Sequence, residues 1–207
     1  MNDTFFYKLF RPILALYISL YKPIIVNKEY IPKYGKVILA GNHTSYLDPL
    51  LVAYGTKRCV HYFAKDSLYK GIKKPIFKGF GIIPVNRKIK DKNSLNMGIK
   101  ALNNDLVIGI FPEGTINKTD KVIMDFKYGA VKMASATNAP IIPFSITNKY
   151  KFLKRSVKIV YGKPYYVKSD DLEKENNILM NKVKTMIIQN SEVKYEFYKQ
   201  NIKFNNK

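Results

Sequence analysis

From Lys36 onward, short apolar runs alternate with longer segments of helical spacing, and this alternation limits the fold more than any other feature of the chain. Six runs read as strands: "VILAG" (37–41), "CVHYFA" (59–64), "IIPVN" (82–86), "LVIGIF" (106–111), "PIIPFSI" (140–146) and "SVKIVYG" (156–162). Helices are expected after Asp48, Asp66 and Asn93, from about Phe126 to Thr137, and from about Asp170 to Gln189. The pattern predicts an α/β domain over 35–190, with a central, mostly parallel or mixed sheet flanked by helices. A length of 207 residues, 46% hydrophobic, with 16 Tyr and 12 Phe, supports a full core rather than a disordered chain. No internal repeat or low-complexity linker interrupts it, and 191–207 reads as a polar, basic tail.

Residues 1–34 read differently. "FFYKLFRPILALYISLYKPIIV" is the most apolar stretch, yet Lys8, Arg11 and Lys22 interrupt it. Its uninterrupted part is about half of the ~20 residues that cross a bilayer. No small-residue cleavage site follows, as a secretory signal requires. Phe6, Leu9, Phe10, Ile13, Tyr17 and Leu20 recur at helical spacing with basic flanks. Such a helix either docks on its own domain or lies in a membrane interface, and one helix can do both.

A formal charge of +21, from 36 basic and 15 acidic residues, points to an anionic partner: nucleic acid, a membrane surface, or a phosphorylated or acidic substrate. The basic residues are spread along the chain, unlike a nucleic-acid-binding tail. Neither an RNP-type aromatic pair nor a GXXG loop is present. A basic nucleic-acid-binding protein remains the alternative of a different class, but it leaves the N-terminal apolar stripe without a use. Cys59 is the single cysteine, which excludes an intrachain disulfide and a multi-cysteine metal site. His61, inside an apolar run, reads as structural.

The other histidine lies in "GNHTSYLDPL" (41–50), on the loop that leaves the strand 37–41. Ligands of open α/β sheets bind at this carboxyl edge. Asp48 before Pro49 is a natural N-cap, and capping alone explains it. The pair has a second reading. Along one continuous helix His43 and Asp48 would stand roughly 140° and about 7.5 Å apart. A loop turning into a helix at Asp48 can instead fold the imidazole onto the carboxylate. That contact fixes the tautomer and makes the other ring nitrogen a general base. Ser45 is too close in sequence to be the nucleophile activated, and there is no G-x-S-x-G elbow. The base more plausibly acts on a substrate hydroxyl.

Other blocks end on successive strands. "GIIPVNR" (81–87) ends with Arg87, suited to a bidentate grip on phosphate. "FPEGT" (111–115) carries Glu113, which could accept from a glycerol hydroxyl or an adjacent donor, and Gly114, which permits positive φ. "APIIPFSI" (139–146) reads as a fourth strand-edge block.

Together these blocks resemble the glycerolipid acyltransferase family, specifically the 1-acylglycerol-3-phosphate acyltransferases. That family carries N-H-x4-D, G-x-x-x-x-x-R, F-P-E-G-T and Pro-containing blocks in this order. Here they read "NHTSYLD", "GIIPVNR", "FPEGT" and "APIIP", covering Asn42 to Ile146. "FAKDSL" (63–68) and "FKYGAVKMA" (126–134) are also similar to family segments. The resemblance implies acyl transfer from a thioester, either acyl-CoA or an acylated carrier protein, to the free hydroxyl of lysophosphatidic acid, giving phosphatidic acid. It implies no metal, no other cofactor and no acyl-enzyme. His43 would deprotonate the hydroxyl and Asp48 would orient its ring. Arg87 would bind phosphate, Glu113 would help position the glycerol, Gly114 and Thr115 would shape the loop, and Lys127 is a further phosphate partner. It also implies a peripheral enzyme at the cytoplasmic face of the cell membrane.

One departure stands out. The family's F-P-E-G-T usually continues with Arg-Ser, whereas this chain has Ile116 and Asn117. Either Lys118 or Lys127 replaces the missing cation, or the acceptor differs, for example glycerol-3-phosphate or another lysolipid. A catalytically silent lipid-binding relative is the remaining alternative.

Overall fold

The computed structural model describes residues 5–68, 73–86 and 88–191. It is an α/β fold. Seven strands form one sheet in the order β1-β7-β6-β2-β5-β3-β4. They are β1 (Ile24–Val26), β2 (Val37–Gly41), β3 (Val60–Lys65), β4 (Ile83–Val85), β5 (Val107–Ile110), β6 (Ile141–Thr147) and β7 (Lys158–Tyr161). All neighbours pair in parallel except β6 and β7. The sheet is therefore mixed, with β7 and β1 running opposite to the other five strands.

The helices are α1 (Phe5–Ser19), α2 (Asp48–Tyr54), α3 (Lys73–Gly79), α4 (Lys92–Asn103), α5 (Gly129–Thr137) and α6 (Leu172–Asn190). Side-chain alternation on β2 explains the layering. Ile38 and Ala40 face a core shared with Leu102 of α4, Met133 of α5 and Leu179 of α6. Val37 and Leu39 face the opposite core, with Ile18 of α1, Leu51 of α2 and Phe144. A buried sheet needs helices on both faces, and the apolar runs of β2 and β6 are buried throughout.

Three expectations shift. β1 is an additional strand, at the end of the apolar N-terminal stretch that the sequence reads as one segment. Asp66–Leu68 form a 3-10 turn, and the described helix that follows, α3, begins at Lys73. "APIIPFSI" is an interior strand: every residue of β6 is buried, so what reaches the sheet edge is the loop after it. Elsewhere the caps set the boundaries. Asp91 caps α4 by accepting from the Ser94 N–H, and Asp171 caps α6 by accepting from Glu173 and Lys174.

α1 presents two faces. Tyr7 and Ile18 are buried, and the Tyr7 hydroxyl donates to the Arg58 carbonyl at 2.8 Å. Leu9, Ile13 and Leu16 are more than half exposed, at 55%, 61% and 66%. No helix among the described residues is long and apolar enough to cross a membrane. The expected tail, apart from Ser191, lies outside the described residues.

Gly41 closes β2 where no side chain fits, since a Cβ there would collide with the backbone oxygen and the ring of Phe144. Gly41→Ala is therefore expected to destabilise the protein by roughly 1–3 kcal/mol. In urea this appears as a lower midpoint with an unchanged slope.

Candidate active site

β2 lies between β5 and β6, so three parallel strands deliver their carboxyl-end loops to one place. The loop after β2 carries His43, the loop after β5 carries Glu113, and the loop after β6 carries Tyr150.

Asn42 fixes where the first loop departs. Its buried amide donates to the Ile146 carbonyl at 2.8 Å and accepts from the Ile146 N–H at 2.7 Å. The chain then turns so that His43 Nδ1 lies 2.8 Å from Asp48 Oδ2. Asp48 is fully buried. Its Oδ2 also accepts from the backbone N–H groups of Thr44 and Ser45. Its Oδ1 accepts from the Tyr150 hydroxyl at 2.7 Å and from the Thr44 hydroxyl at 3.2 Å. The capping expectation changes in detail: Leu47 holds the N-cap position and Asp48 is the first helical residue. Its carboxylate gathers the loop before the helix instead of capping the turn after it.

With a carboxylate as its partner, Nδ1 carries the proton and Nε2 is the basic nitrogen of the His43 ring. The ring stacks on Phe111 with centroids 4.2 Å apart and an interplanar angle of 19°. Phe111 in turn stacks on Tyr62, whose hydroxyl donates to the Pro49 carbonyl at 2.8 Å. One side of the imidazole is thus walled by aromatic rings.

Glu113 is buried beneath the loop. Its Oε1 accepts from the His43 N–H at 2.8 Å, and its Oε2 accepts from the Met124 N–H at 2.9 Å. The adjacent donors foreseen as one alternative thus take both oxygens. Burial pushes its carboxyl above the ordinary range, while the two N–H donors and nearby His43 pull it back. Asn117 completes the bracing by donating its N–H to the His43 carbonyl at 2.8 Å. Gly114 has φ +75°, and a Cβ there would lie 2.8 Å from Lys127 Nζ, so the lysine head sits over this glycine. Thr115 is exposed on the same loop, as is Lys118 farther along it. Arg87 lies outside the described residues. Asn42, Phe111 and Tyr150 were missed by sequence reasoning as site residues. The first two stand inside the quoted blocks, and Tyr150 carried no local signal.

Two other candidate nucleophiles are occupied or inert. Ser45 Oγ accepts from the Leu47 N–H at 3.2 Å. Burial pushes the Cys59 thiol up to about 12. His61 is fully buried with Nδ1 2.8 Å from the Gly81 carbonyl oxygen.

The family model described as Acyltransferase matches residues 22–147. The chain belongs to the acyltransferase family. Among similar proteins, a 1-acyl-sn-glycerol-3-phosphate acyltransferase of Borreliella burgdorferi is 31% identical over 79% of this chain and 70% of that one. One from Bacillus subtilis is 29% identical over 69% of this chain and 73% of that one. The solved 1-acyl-sn-glycerophosphate acyltransferase of Thermotoga maritima shares the fold, with a TM-score of 0.66, 22% identity, and coverage of 89% and 81%.

An apolar cavity of about 330 Å³ completes this acyltransferase on the α1 face of its sheet. Leu14 and Ala15 of α1, Leu50 and Ala53 of α2, Ile76 of α3 and Tyr62 of β3 line it. Pro49, next to Asp48, also lines it, so the cavity lies beside the His43–Asp48 loop. Its volume is within the usual range of ligand sites.

The bracing by Glu113 is testable. Glu113→Gln places an amide NH2 against a backbone N–H, leaving one buried donor unpaired. A loss of about 1–3 kcal/mol is expected, read as a lower melting temperature together with reduced activity. Unchanged stability would show that the two N–H bonds do not hold the loop.

Proposed function

We propose that this acyltransferase moves a fatty acyl group from an acyl thioester to the sn-2 hydroxyl of 1-acylglycerol-3-phosphate, forming phosphatidic acid at a membrane surface. The observation that carries the reading is the 2.8 Å contact between His43 Nδ1 and the buried Asp48 carboxylate. The relatives' names support the acceptor.

In this reading the acceptor hydroxyl approaches Nε2 of His43 and gives up its proton as its oxygen attacks the thioester carbonyl. A C–O bond forms and the carbonyl electrons collect on oxygen. When they return, the C–S bond breaks, and the thiolate leaves with the proton held by the imidazolium. Asp48 orients the ring and stabilises its positive charge as it forms. The apolar cavity beside Pro49 and Tyr62 suits the donor's acyl chain. Lys127, whose head lies over Gly114, replaces the cation absent at Ile116 in this reading. Together with Arg87 it would draw the acceptor's phosphate, with Thr115 on the same loop.

The donor is acyl-CoA or an acylated carrier protein. Both are anionic, as is a phospholipid surface, and a chain of net charge +21 attracts all three in a salt-dependent way. The exposed stripe of Leu9, Ile13, Leu16 and Tyr17 on α1 suits insertion at the interface, beside the cavity that Leu14 and Ala15 line. The enzyme then sits peripherally at the cytoplasmic face of the cell membrane, where 1–34 serves as the interfacial segment of the 35–190 catalytic domain.

Purified protein given a labelled acyl thioester and, side by side, lysophosphatidic acid, glycerol-3-phosphate and other lysolipids tests the reaction. Lysophosphatidic acid is expected to be labelled fastest, and His43→Ala to lower that rate by about 10²- to 10⁴-fold or more. Equal rates for the two proteins exclude the general base, and preference for another lysolipid excludes only the acceptor. For the membrane, Ile13→Lys with Leu16→Lys is expected to weaken binding to anionic vesicles at least tenfold, because each buried apolar side chain contributes about 1.5–3 kcal/mol. Unchanged binding in a vesicle sedimentation assay would place the contact surface elsewhere.

A further inference from the structure

Asp48 is fully buried, and its two oxygens are served unequally. Oδ2 takes the imidazole and two backbone N–H groups, all from its own loop. Oδ1 has the Thr44 hydroxyl at 3.2 Å and one short bond, 2.7 Å, from the hydroxyl of Tyr150. That phenol arrives from 102 residues away, on the loop after β6. It is the sole group from outside the 42–48 loop that hydrogen-bonds to the carboxylate among the described residues. Without it, only groups of the loop itself hold the carboxylate's rotation about its Cβ–Cγ bond, with the 3.2 Å Thr44 hydroxyl alone on Oδ1, and the alignment of Oδ2 on the imidazole loosens.

We infer that Tyr150 is a positioning residue for acyl transfer, its phenol locking the Asp48 carboxylate so that Oδ2 stays on His43. The inference rests on the general-base reading above. Burial and the neighbouring Asp48 charge both push the phenol's pKa up, so it remains protonated and a donor at any working pH. Its ring is held as well. Tyr21 packs edge-on against Tyr150, with centroids 5.8 Å apart and planes at 85°. Tyr21 also meets Phe152 and, at the end of α1, Tyr17. The Leu153 N–H donates to the Leu20 carbonyl at 2.8 Å, tying this loop to the segment that follows α1. A side chain present only to fill space would need neither the hydroxyl nor its alignment on Oδ1.

The test compares Tyr150→Phe in the wild-type and His43→Ala backgrounds, with the labelled thioester and lysophosphatidic acid as substrates. In the wild-type background kcat is expected to fall on the order of tenfold to a hundredfold with KM unchanged, as for other groups that orient a functional histidine through its partner. In the His43→Ala background the same substitution is expected to cost nothing further, because the group it acts through is gone. An equal fractional loss in both backgrounds, a change confined to KM, or full activity of Tyr150→Phe would each overturn the proposal. If Tyr150→Phe fails to fold, fluorinated tyrosines at position 150 keep the shape and grade the donor strength. A kcat that varies along that series supports the role, and a flat response overturns it. His43→Ala with wild-type activity removes the general-base reading itself, whereas an inactive His43→Ala beside an unaffected Tyr150→Phe removes only this inference.

Discussion

The geometry of the site turns on a fully buried negative charge. Asp48 cannot leave water unless its lone pairs are filled, because an unpaired buried carboxylate costs several kcal/mol. The loop from His43 to Leu47 supplies most of what it needs: two backbone N–H groups, a hydroxyl and an imidazole. Folding that loop and solvating the carboxylate are therefore one event. The imidazole is placed as a consequence, partly exposed at the sheet edge.

The loop is also braced from below. Glu113 accepts from the His43 N–H and the Met124 N–H, the Asn117 N–H donates to the His43 carbonyl, and Asn42 pins the end of β2 to that of β6. These contacts use backbone groups, so they fix the position of His43 independently of its ring. The strand order makes this possible, since β5 and β6 flank β2 directly. β4 lies three strands away at the sheet edge.

How much of this could be read from the sequence follows the range of the interactions. β2 has the bounds that its apolar run suggested, because a strand buried on both faces must be apolar throughout. β1 escaped notice because Ile24–Val26 closes the apolar N-terminal stretch and reads as part of that one segment. A 3-10 turn forms at Asp66, where a helix start was expected, and the described helix that follows, α3, begins at Lys73. In the site, residues close along the chain were legible as a pair, since loop-then-helix is the one arrangement that lets His43 meet Asp48. The partners of Glu113 were not, because a carboxylate's choice between a ligand and backbone donors depends on which loops fold over it. Tyr150 was invisible for the same reason: nothing near it in sequence anticipates a carboxylate 102 residues away.

The arrangement also bears on the order of bond making. Covalent catalysis needs a side-chain nucleophile within reach of the base. Ser45 has its oxygen engaged with the Leu47 N–H at the start of α2. Cys59 precedes β3, where burial holds its thiol near 12 and leaves little thiolate at neutral pH. The Tyr62 and Tyr150 hydroxyls near the pair are held by Pro49 and Asp48, and burial pushes both phenols' pKa values up. Each of these four side chains is engaged or kept protonated, which suits the proposed reading that His43 activates a hydroxyl brought by the acceptor. On that reading the acyl chain lies in the apolar cavity, which Pro49 lines next to Asp48. Direct transfer from donor to acceptor, with both substrates bound together, is the step which that reading requires.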